Sequence, residues 1–121
     1  MATSSSPIIP NIDIDEDGTF KYILIKIQNK SNPEPRLIVR GYKWAEFHAD
    51  IFEKVNEELS SAGYDCECMG GGRIKHTPDE KSLLVYGYSV SYGRADHNKT
   101  VSLLQDKYSH YKSITFSNKG Y

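Results

Sequence analysis

Residues 40–50 read RGYKWAEFHAD, and they join a strand-like run to a helix-like run. The segment sets one histidine, His48, among basic and aromatic residues. Apolar side chains recur at spacings of three and four from Trp44 to Leu59, and Gly63 follows. This pattern predicts an amphipathic helix over residues 44–62 that Gly63 ends. Free N–H groups near the start of such a helix favour an anion beside His48.

The chain before this helix has strand character. Residues 19–28 are β-branched and aromatic, and their apolar side chains fall on both faces, which is typical of a central strand. An extended run resumes over residues 37–40. We therefore predict two strands before the helix and none before residue 19.

The chain after the helix alternates strand and turn signals. Residues 64–69 alternate, the glycines at 70–72 predict a turn, and residues 73–76 lead out of it. A long β-rich run follows over residues 82–92. Then Asn98 or Thr100 caps a second predicted helix. Its apolar face is formed by Val101, Leu104 and Tyr108, and residues 113–117 alternate as a last strand. The predicted order is β-β-α-β-β-β-α-β, an α+β domain on a mixed sheet.

Length and composition fit one folded domain. The chain has 121 residues, 38% hydrophobic and 26% charged, which is typical of a folded protein of this size. Residues 1–11 are rich in Ser and Pro and are predicted to be a flexible tail. Residues 12–121 are predicted to form a single domain.

Charge and hydropathy exclude several classes of function. The net charge of −1 argues against nucleic-acid binding, which relies on a broad basic face. No apolar run reaches the roughly 18 residues of a membrane span, and the N-terminus lacks the features of a signal peptide. Cys66 and Cys68 are too close in sequence for an unstrained disulfide, and free thiols fit a reducing compartment. We therefore expect a cytoplasmic protein without a membrane segment.

His48 is the first candidate for chemistry. Its imidazole has an ordinary pKa of roughly 6.5, so a neutral base or nucleophile is available at physiological pH. Its helical spacing is equally consistent with a core histidine. The other histidines (His76, His97 and His110) are scattered in polar stretches and are predicted to lie on the surface.

Charged and hydroxyl side chains elsewhere could hold a phosphoryl group. Arg40 and Arg73 flank strand ends, and Arg73 follows three glycines that permit close approach of a ligand to guanidinium. Lys21 lies inside a strand-like run, where it is either at a sheet edge or supplies charge to a site. Ser89 and Ser91 share a strand face. They are either cross-strand hydroxyls or mark a turn whose backbone N–H groups bind an anion.

No metal or cofactor site is predicted. Cys66-Glu67-Cys68 is not the Cys-x-x-Cys pattern of zinc or redox sites. The chain also lacks the Gly-x-Ser-x-Gly elbow of serine hydrolases.

Long strings of this sequence resemble the protein histidine phosphatases, also called the janus/ocnus family. The resemblance runs from about residue 17 to the C-terminus. The strings that carry it are DG at 17–18, FKY at 20–22, IVRGYKWAE at 38–46, HADI at 48–51, CEC at 66–68, GGGRI at 70–74, VYGYS at 85–89 and GY at 120–121.

The resemblance implies a fold and a set of roles. Family members have a mixed sheet, here of about six strands, packed between two α-helices, and they remove phosphate from phosphohistidine in proteins without a metal. By motif, His48 would be the catalytic residue, and Lys21 and Arg73 would favour the phosphate electrostatically. The turn around Ser89 and Ser91 would bind phosphate through backbone N–H groups. Arg40 would support the site.

The sequence therefore predicts a metal-independent phosphoamidase. His48 would act either as a general base toward water or as the acceptor of the phosphoryl group. The expected partners are phosphohistidine-containing proteins or peptides, and a monomer without cofactor is expected. The alternative is a non-catalytic module that binds phosphohistidine or a phosphopeptide. Retention of His48 together with Arg73 favours the enzyme.

Overall fold

The computed structural model describes residues 9–119. The first eight residues of the tail predicted over residues 1–11, and the family-like GY at 120–121, lie outside the described residues. Two α-helices, one short 3₁₀ helix (Pro78–Glu80) and six strands form within residues 9–119. In chain order the strands and α-helices are β1 (Ile12–Ile14), β2 (Gly18–Gln28), β3 (Arg36–Tyr42), α1 (His48–Ser61), β4 (Asp65–Thr77), β5 (Ser82–Tyr86), α2 (His97–Lys107) and β6 (Ser113–Phe116).

The strands form one mixed sheet in the order β1-β3-β2-β4-β5-β6. The two outer pairs, β1 with β3 and β5 with β6, are parallel, and the inner pairs are antiparallel. The helices pack on opposite faces of this sheet, each over its own cluster of buried apolar side chains. The prediction of an α+β fold with about six strands between two helices is confirmed.

Strand β2 is central because it is apolar on both faces. Ile23, Ile25 and Ile27 pack in the cluster beneath α1, whereas Tyr22 and Leu24 pack in the cluster beneath α2. All five are at most 1% exposed. Burial of each aliphatic side chain of this kind contributes about 1.5–3 kcal/mol, so this strand anchors both layers.

Helix α1 begins at His48, four residues later than the sequence predicted. Trp44 and Phe47 are 52% and 60% exposed, and Trp44 stacks on Tyr42 with ring centroids 5.4 Å apart. The start is set by Asp50, whose carboxylate accepts a hydrogen bond of 2.9 Å from the Phe47 N–H. The predicted end is confirmed, because α1 stops at Ser61 and Gly63 follows with a φ of +91°.

The glycines at 70–72 do not form a turn, so that prediction was wrong. They lie inside β4, a continuous strand of 13 residues. Gly70 has a φ of +131°, and a Cβ there would lie 2.7 Å from the backbone nitrogen of Ala95. The three glycines provide room for neighbours that are distant in sequence, which a local pattern cannot distinguish from a turn.

Three further boundaries differ from the sequence prediction. The β-rich run over residues 82–92 ends as a strand at Tyr86. Helix α2 is capped by Asp96, whose carboxylate accepts a hydrogen bond from the Lys99 N–H, rather than by Asn98 or Thr100. Strand β1 was not predicted, although Ile12 and Ile14 are buried. Within the described part of the chain, no helix is long and apolar enough to cross a membrane.

Candidate active site

His48 is the first residue of α1 and is 5% exposed. Its Nε2 lies 2.9 Å from the carbonyl oxygen of Gly72 in β4. A carbonyl oxygen can only accept, so Nε2 carries the proton and the neutral ring keeps its lone pair on Nδ1. No hydrogen bond within residues 9–119 involves Nδ1. The fold therefore fixes the tautomer and leaves one nitrogen open.

The glycines of β4 make this approach possible. A Cβ on Gly71 would lie 2.7 Å from Cδ2 of His48 and 2.9 Å from the carbonyl oxygen of Tyr22. Any side chain at that position would push the imidazole away from the sheet. Gly71, the second glycine of the predicted turn, therefore leaves the room that the His48 ring occupies.

Two neighbouring cavities share Lys21, and His48 lines the first of them. The first has a volume of about 420 Å³, and its lining residues are Lys21, Glu46, Phe47, His48, Ser89, Val90 and Ser91. The second has a volume of about 240 Å³ and is lined by Thr19, Phe20, Lys21, Lys43, Ala45 and Arg73. Lys21 belongs to both, and it pairs with Arg73 across β2 and β4. The structure therefore brings His48, Lys21, Ser89 and Ser91 to one cavity, with Arg73 next to it.

The environment of His48 keeps the ring neutral. Burial lowers its pKa below the ordinary 6.5, and the hydrogen bond to Gly72 opposes that shift. The positive charges of Lys21 and Arg73 lower the pKa further. At physiological pH the imidazole is therefore uncharged, with its Nδ1 lone pair available to a proton or a phosphorus atom.

Residues 89–93 form a tight turn at the edge of the first cavity. The Ser89 N–H donates to the Gly93 carbonyl at 3.1 Å, and the Gly93 N–H donates back to the Ser89 carbonyl at 2.8 Å. The Tyr92 N–H donates to the Ser89 hydroxyl oxygen at 3.0 Å. The N–H groups of Val90 and Ser91 make no hydrogen bond among the described residues. The turn can therefore offer those two N–H groups and the Ser89 hydroxyl proton to an anion.

Arg40 is placed differently from the other candidates. It is buried in β3, and its guanidinium donates to the carbonyl oxygens of Val39 at 2.8 Å and Pro10 at 2.9 Å. It lines neither cavity. Arg40 ties β3 to the segment before β1, a structural contact made at a distance from the cavity walls.

Two histidines predicted to lie on the surface are buried, so that prediction was wrong for both. His76 is 4% exposed and lies between the Asp15 carbonyl oxygen, 3.0 Å from Nδ1, and the Tyr111 hydroxyl, 2.7 Å from Nε2. His97 is 1% exposed and is the first residue of α2. His110 is exposed, as predicted.

His97 supports the turn from the opposite face of the sheet. Its Nε2 donates to the Gly87 carbonyl oxygen at 2.8 Å, and its Nδ1 accepts from the Tyr22 hydroxyl at 2.6 Å. The Tyr22 oxygen is also 3.0 Å from the Thr100 hydroxyl. Because Gly87 comes two residues before Ser89, this network positions the turn. Extending the helical spacing of Val101 back by four residues would have reached His97 and indicated its burial.

The cysteines do not add a reactive group. Both are free, as predicted, and both are half-buried on the α1 face of β4. Burial raises the pKa of Cys66 and brings that of Cys68 to about 11, so both thiols stay protonated. Within residues 9–119, no three His, Cys, Asp or Glu side chains converge on a point where a metal could bind.

The site of this small α+β domain combines a neutral histidine, whose Nδ1 has no hydrogen-bond partner among the described residues, with two cationic side chains. This combination of groups is suited to binding phosphate. The sequence profile of the Janus/Ocnus family matches residues 7–112, and the chain belongs to that family. It is 50% identical to the 14 kDa phosphohistidine phosphatase of Sus scrofa over 118 residues, 93% of each chain. It is 46% identical to the 14 kDa phosphohistidine phosphatase of Homo sapiens over the whole of both chains. It is 49% identical to the sex-regulated protein janus-A of Drosophila pseudoobscura pseudoobscura, over 93% of this chain and 78% of that protein.

Proposed function

We propose that this protein is a phosphohistidine phosphatase, a hydrolase that cleaves the P–N bond of phosphohistidine in proteins. The observation that carries the proposal is the state of His48. Its Nε2 is committed to the Gly72 carbonyl, and its Nδ1 is open beside Lys21 in a cavity of about 420 Å³. The names of the relatives in Sus scrofa and Homo sapiens support the same activity.

The phosphoryl group would be held by charge and by backbone. Lys21 lines both cavities and Arg73 lines the second, so their positive charges would flank the phosphoryl oxygens. The N–H groups of Val90 and Ser91 and the Ser89 hydroxyl would donate to the same oxygens. Fixed donors of this kind stabilise the charge that develops on the phosphoryl group in the transition state. Arg40 would support the site by holding β3 in place.

His48 would act through Nδ1 in one of two ways. As a general base, Nδ1 would take a proton from the water that attacks phosphorus. As a nucleophile, it would attack phosphorus directly and carry the phosphoryl group until water removes it. In both cases the ring becomes charged in passing, and the bond from Nε2 to the Gly72 carbonyl strengthens as it does so. The structural demand on the ring is the same for both routes.

The finer features of the proposal follow from the same residues. The reaction would need no metal, because Lys21 and Arg73 would supply the positive charge that a metal supplies to other phosphoryl-transfer sites. The substrates would be phosphohistidine-containing proteins, since the cavity is open and its wall is exposed at Phe47 and Val90. We propose that the protein acts as a monomer in the cytoplasm.

The test is phosphate release from matched peptides that carry phosphohistidine or phosphoserine. We expect turnover of the phosphohistidine peptide, little turnover of the phosphoserine peptide, and an unchanged rate after dialysis against a strong chelator. Rapid quenching during turnover then separates the two routes, because only the nucleophilic one leaves phosphate on His48. Tight binding of the phosphohistidine peptide without phosphate release would overturn the proposal in favour of a binding module.

A further inference from the structure

The first cavity contains a charge that a phosphate site does not need. Glu46, an exposed acidic residue, lines it together with Lys21 and His48. Glu46 and Lys21 have opposite charges, yet within residues 9–119 neither side chain forms an ion pair or a hydrogen bond. A carboxylate here would repel a phosphate dianion unless the ligand also carries a positive group.

Phosphohistidine is such a ligand. Its phosphoryl group is anionic, and its imidazole ring can take a proton on the nitrogen that carries no phosphate, which makes the side chain a zwitterion. The ring is also flat and largely apolar. The cavity offers a matching wall beside Glu46, because Phe47 and Val90 line it with side chains that are 60% and 87% exposed. An aromatic face is favourable for a cationic ring.

The positive charges near His48 indicate where the phosphoryl group and the imidazole ring of a bound phosphohistidine would lie. Lys21 lines the first cavity with His48 and lies opposite Arg73 across β2 and β4, and the positive charges of both lower the pKa of the His48 ring. Since these are the groups assigned to the phosphoryl oxygens, the phosphoryl end would lie beside His48, and the Glu46 carboxylate would be left for the ring end.

We propose that Glu46 recognises the imidazole of the substrate, accepting a hydrogen bond from the ring nitrogen that carries no phosphate while the ring packs against Phe47. This inference rests on the proposed function and names the feature that would select phosphohistidine over other phosphorylated side chains. Phosphoserine, phosphothreonine and phosphotyrosine have no second nitrogen to offer to the carboxylate. A site built for a hydrogen bond discriminates strongly against a ligand that cannot form it.

The same contact would assist cleavage. Glu46 favours the form of the ring that is protonated on the free nitrogen. When the P–N bond breaks, its electron pair goes to the ring nitrogen that carried phosphorus, and the ring leaves as neutral imidazole with the other proton still in place. The phosphoryl group takes hydroxide from a water whose proton goes to His48, or it passes to Nδ1 of His48. No additional acid is then required for the leaving nitrogen.

The experiment compares Glu46→Gln with the wild-type protein on two phosphoramidates. One substrate is a phosphohistidine peptide, and the other is inorganic phosphoramidate, whose leaving group is ammonia and has no ring. The quantity of interest is the ratio of the two kcat/KM values, measured on the same sample so that any change in the folded fraction cancels. Glu57→Gln is the matched control, because Glu57 is an exposed carboxylate of α1 that lines neither cavity.

We expect Glu46→Gln to lower the ratio, peptide over phosphoramidate, by roughly ten- to hundredfold, as for loss of a hydrogen bond to a charged group. Glu57→Gln should leave the ratio at the wild-type value. If Glu46→Gln changes both substrates equally, or neither, the inference is wrong while the proposed phosphatase stands. If the wild-type protein itself does not hydrolyse the phosphohistidine peptide, the proposed function fails and this inference fails with it.

Discussion

His48 and His97 occupy nearly equivalent places on opposite faces of the sheet. Each is the first residue of a helix, each is buried, and each has Nε2 bonded to a glycine carbonyl, at 2.9 Å and 2.8 Å. Burial lowers the pKa of both rings. The adjacent glycines of β4 make room for them, since a Cβ on Gly71 would lie 2.7 Å from the His48 ring and one on Gly72 would lie 2.7 Å from the His97 ring.

The two rings differ in what reaches their second nitrogen. Nδ1 of His97 accepts a hydrogen bond of 2.6 Å from the buried Tyr22 hydroxyl, so every polar atom of that ring is satisfied inside the protein. Nδ1 of His48 has no such partner among the described residues, and the ring lines a cavity that also contains Lys21. The fold therefore uses one arrangement twice, and the partner of Nδ1 is what separates the structural His97 from His48, which we propose to be the catalytic histidine.

The largest effect on turnover should come from removing the imidazole of His48, the ring whose Nδ1 has no partner among the described residues. His48→Ala should lower turnover of a phosphohistidine peptide by about 10²–10⁴-fold, the usual contribution of a positioned acid–base group. The domain should stay folded, because the variant loses one hydrogen bond at the edge of the core. His110→Ala is the matched control, since His110 is exposed and lines neither cavity. Near-normal turnover by a folded His48→Ala protein would remove the catalytic half of the comparison.

Removal of the His97 imidazole, both of whose nitrogens are hydrogen-bonded, should lower the stability of the protein. His97→Ala removes the hydrogen-bond partner of the Gly87 carbonyl, leaves the Tyr22 hydroxyl with Thr100 alone, and opens a cavity beneath α2. We expect the free energy of unfolding to fall by about 2–4 kcal/mol, more than for His48→Ala. Urea denaturation of the two variants measures the difference. Equal losses for both would mean that the two histidines do not divide structure and chemistry between them.

Tyr22→Phe tests the role of the partner at Nδ1 of His97. The substitution removes the hydroxyl that donates to this nitrogen while the ring stays buried. The variant should lose about 1–3 kcal/mol of stability, the cost of leaving a buried acceptor unsatisfied. Tyr64→Phe is the control, since the Tyr64 hydroxyl forms no hydrogen bond within the described residues, and it should change stability by no more than ~0.5 kcal/mol. A Tyr22→Phe protein as stable as the control would show that the hydroxyl does not close the ring.

Acid should act on both rings in the same direction. The folded pKa of each lies below 6.5, so the unfolded state binds more protons in the interval between the folded pKa and about 6.5. Stability is therefore full above pH 6.5 and is lost as the pH falls below it, by at most about 1.4 kcal/mol per pH unit for each histidine. Denaturant midpoints between pH 5 and 8 measure this loss. A midpoint that rises on acidification through this range would contradict burial of the neutral rings.

Much of the fold was predictable because its signals are local. Residues 19–28 are apolar on both faces, and that alone indicates a central strand. The helical spacing through Ile51, Val55 and Leu59 indicates α1, and Gly63 marks its end. The start of α1 was missed because apolar spacing extends back through Phe47 to Trp44. The observed start involves two hydrogen bonds, one from the Phe47 N–H to the Asp50 carboxylate and one from the Asp50 N–H to the Phe47 carbonyl oxygen.

The glycines at 70–72 show where local reasoning fails. A run of glycine in isolation predicts a turn. Here each glycine instead packs closely against a residue from another part of the chain. Gly71 faces His48, and Gly72 faces His97, which are 23 and 25 residues away by their numbers in the sequence. No pattern confined to a few residues can distinguish space for a ring from freedom to turn.

Some features of the candidate site were predictable from the sequence, and others depend on contacts between distant parts of the chain. Residue types and the family resemblance indicated Lys21, His48, Arg73, Ser89 and Ser91, and the structure places all but Arg73 on one cavity, with Arg73 next to it. The tautomer of His48 could not be predicted, because it depends on a carbonyl 24 residues away. The exposed wall at Phe47 was missed for the same reason that the helix start was misplaced.

The most direct test of the central claim is the protonation of the ring nitrogens themselves. Long-range proton–nitrogen NMR on the uniformly ¹⁵N-labelled protein, with His48→Ala and His97→Ala used for assignment, reports the state of Nδ1 and Nε2 in both rings. At pH 7.5 both histidines should be neutral with the proton on Nε2. Added inorganic phosphate should shift the Nδ1 signal of His48 and leave that of His97 unchanged. A proton on Nδ1 of His48, or a phosphate response at His97 instead, would contradict the account.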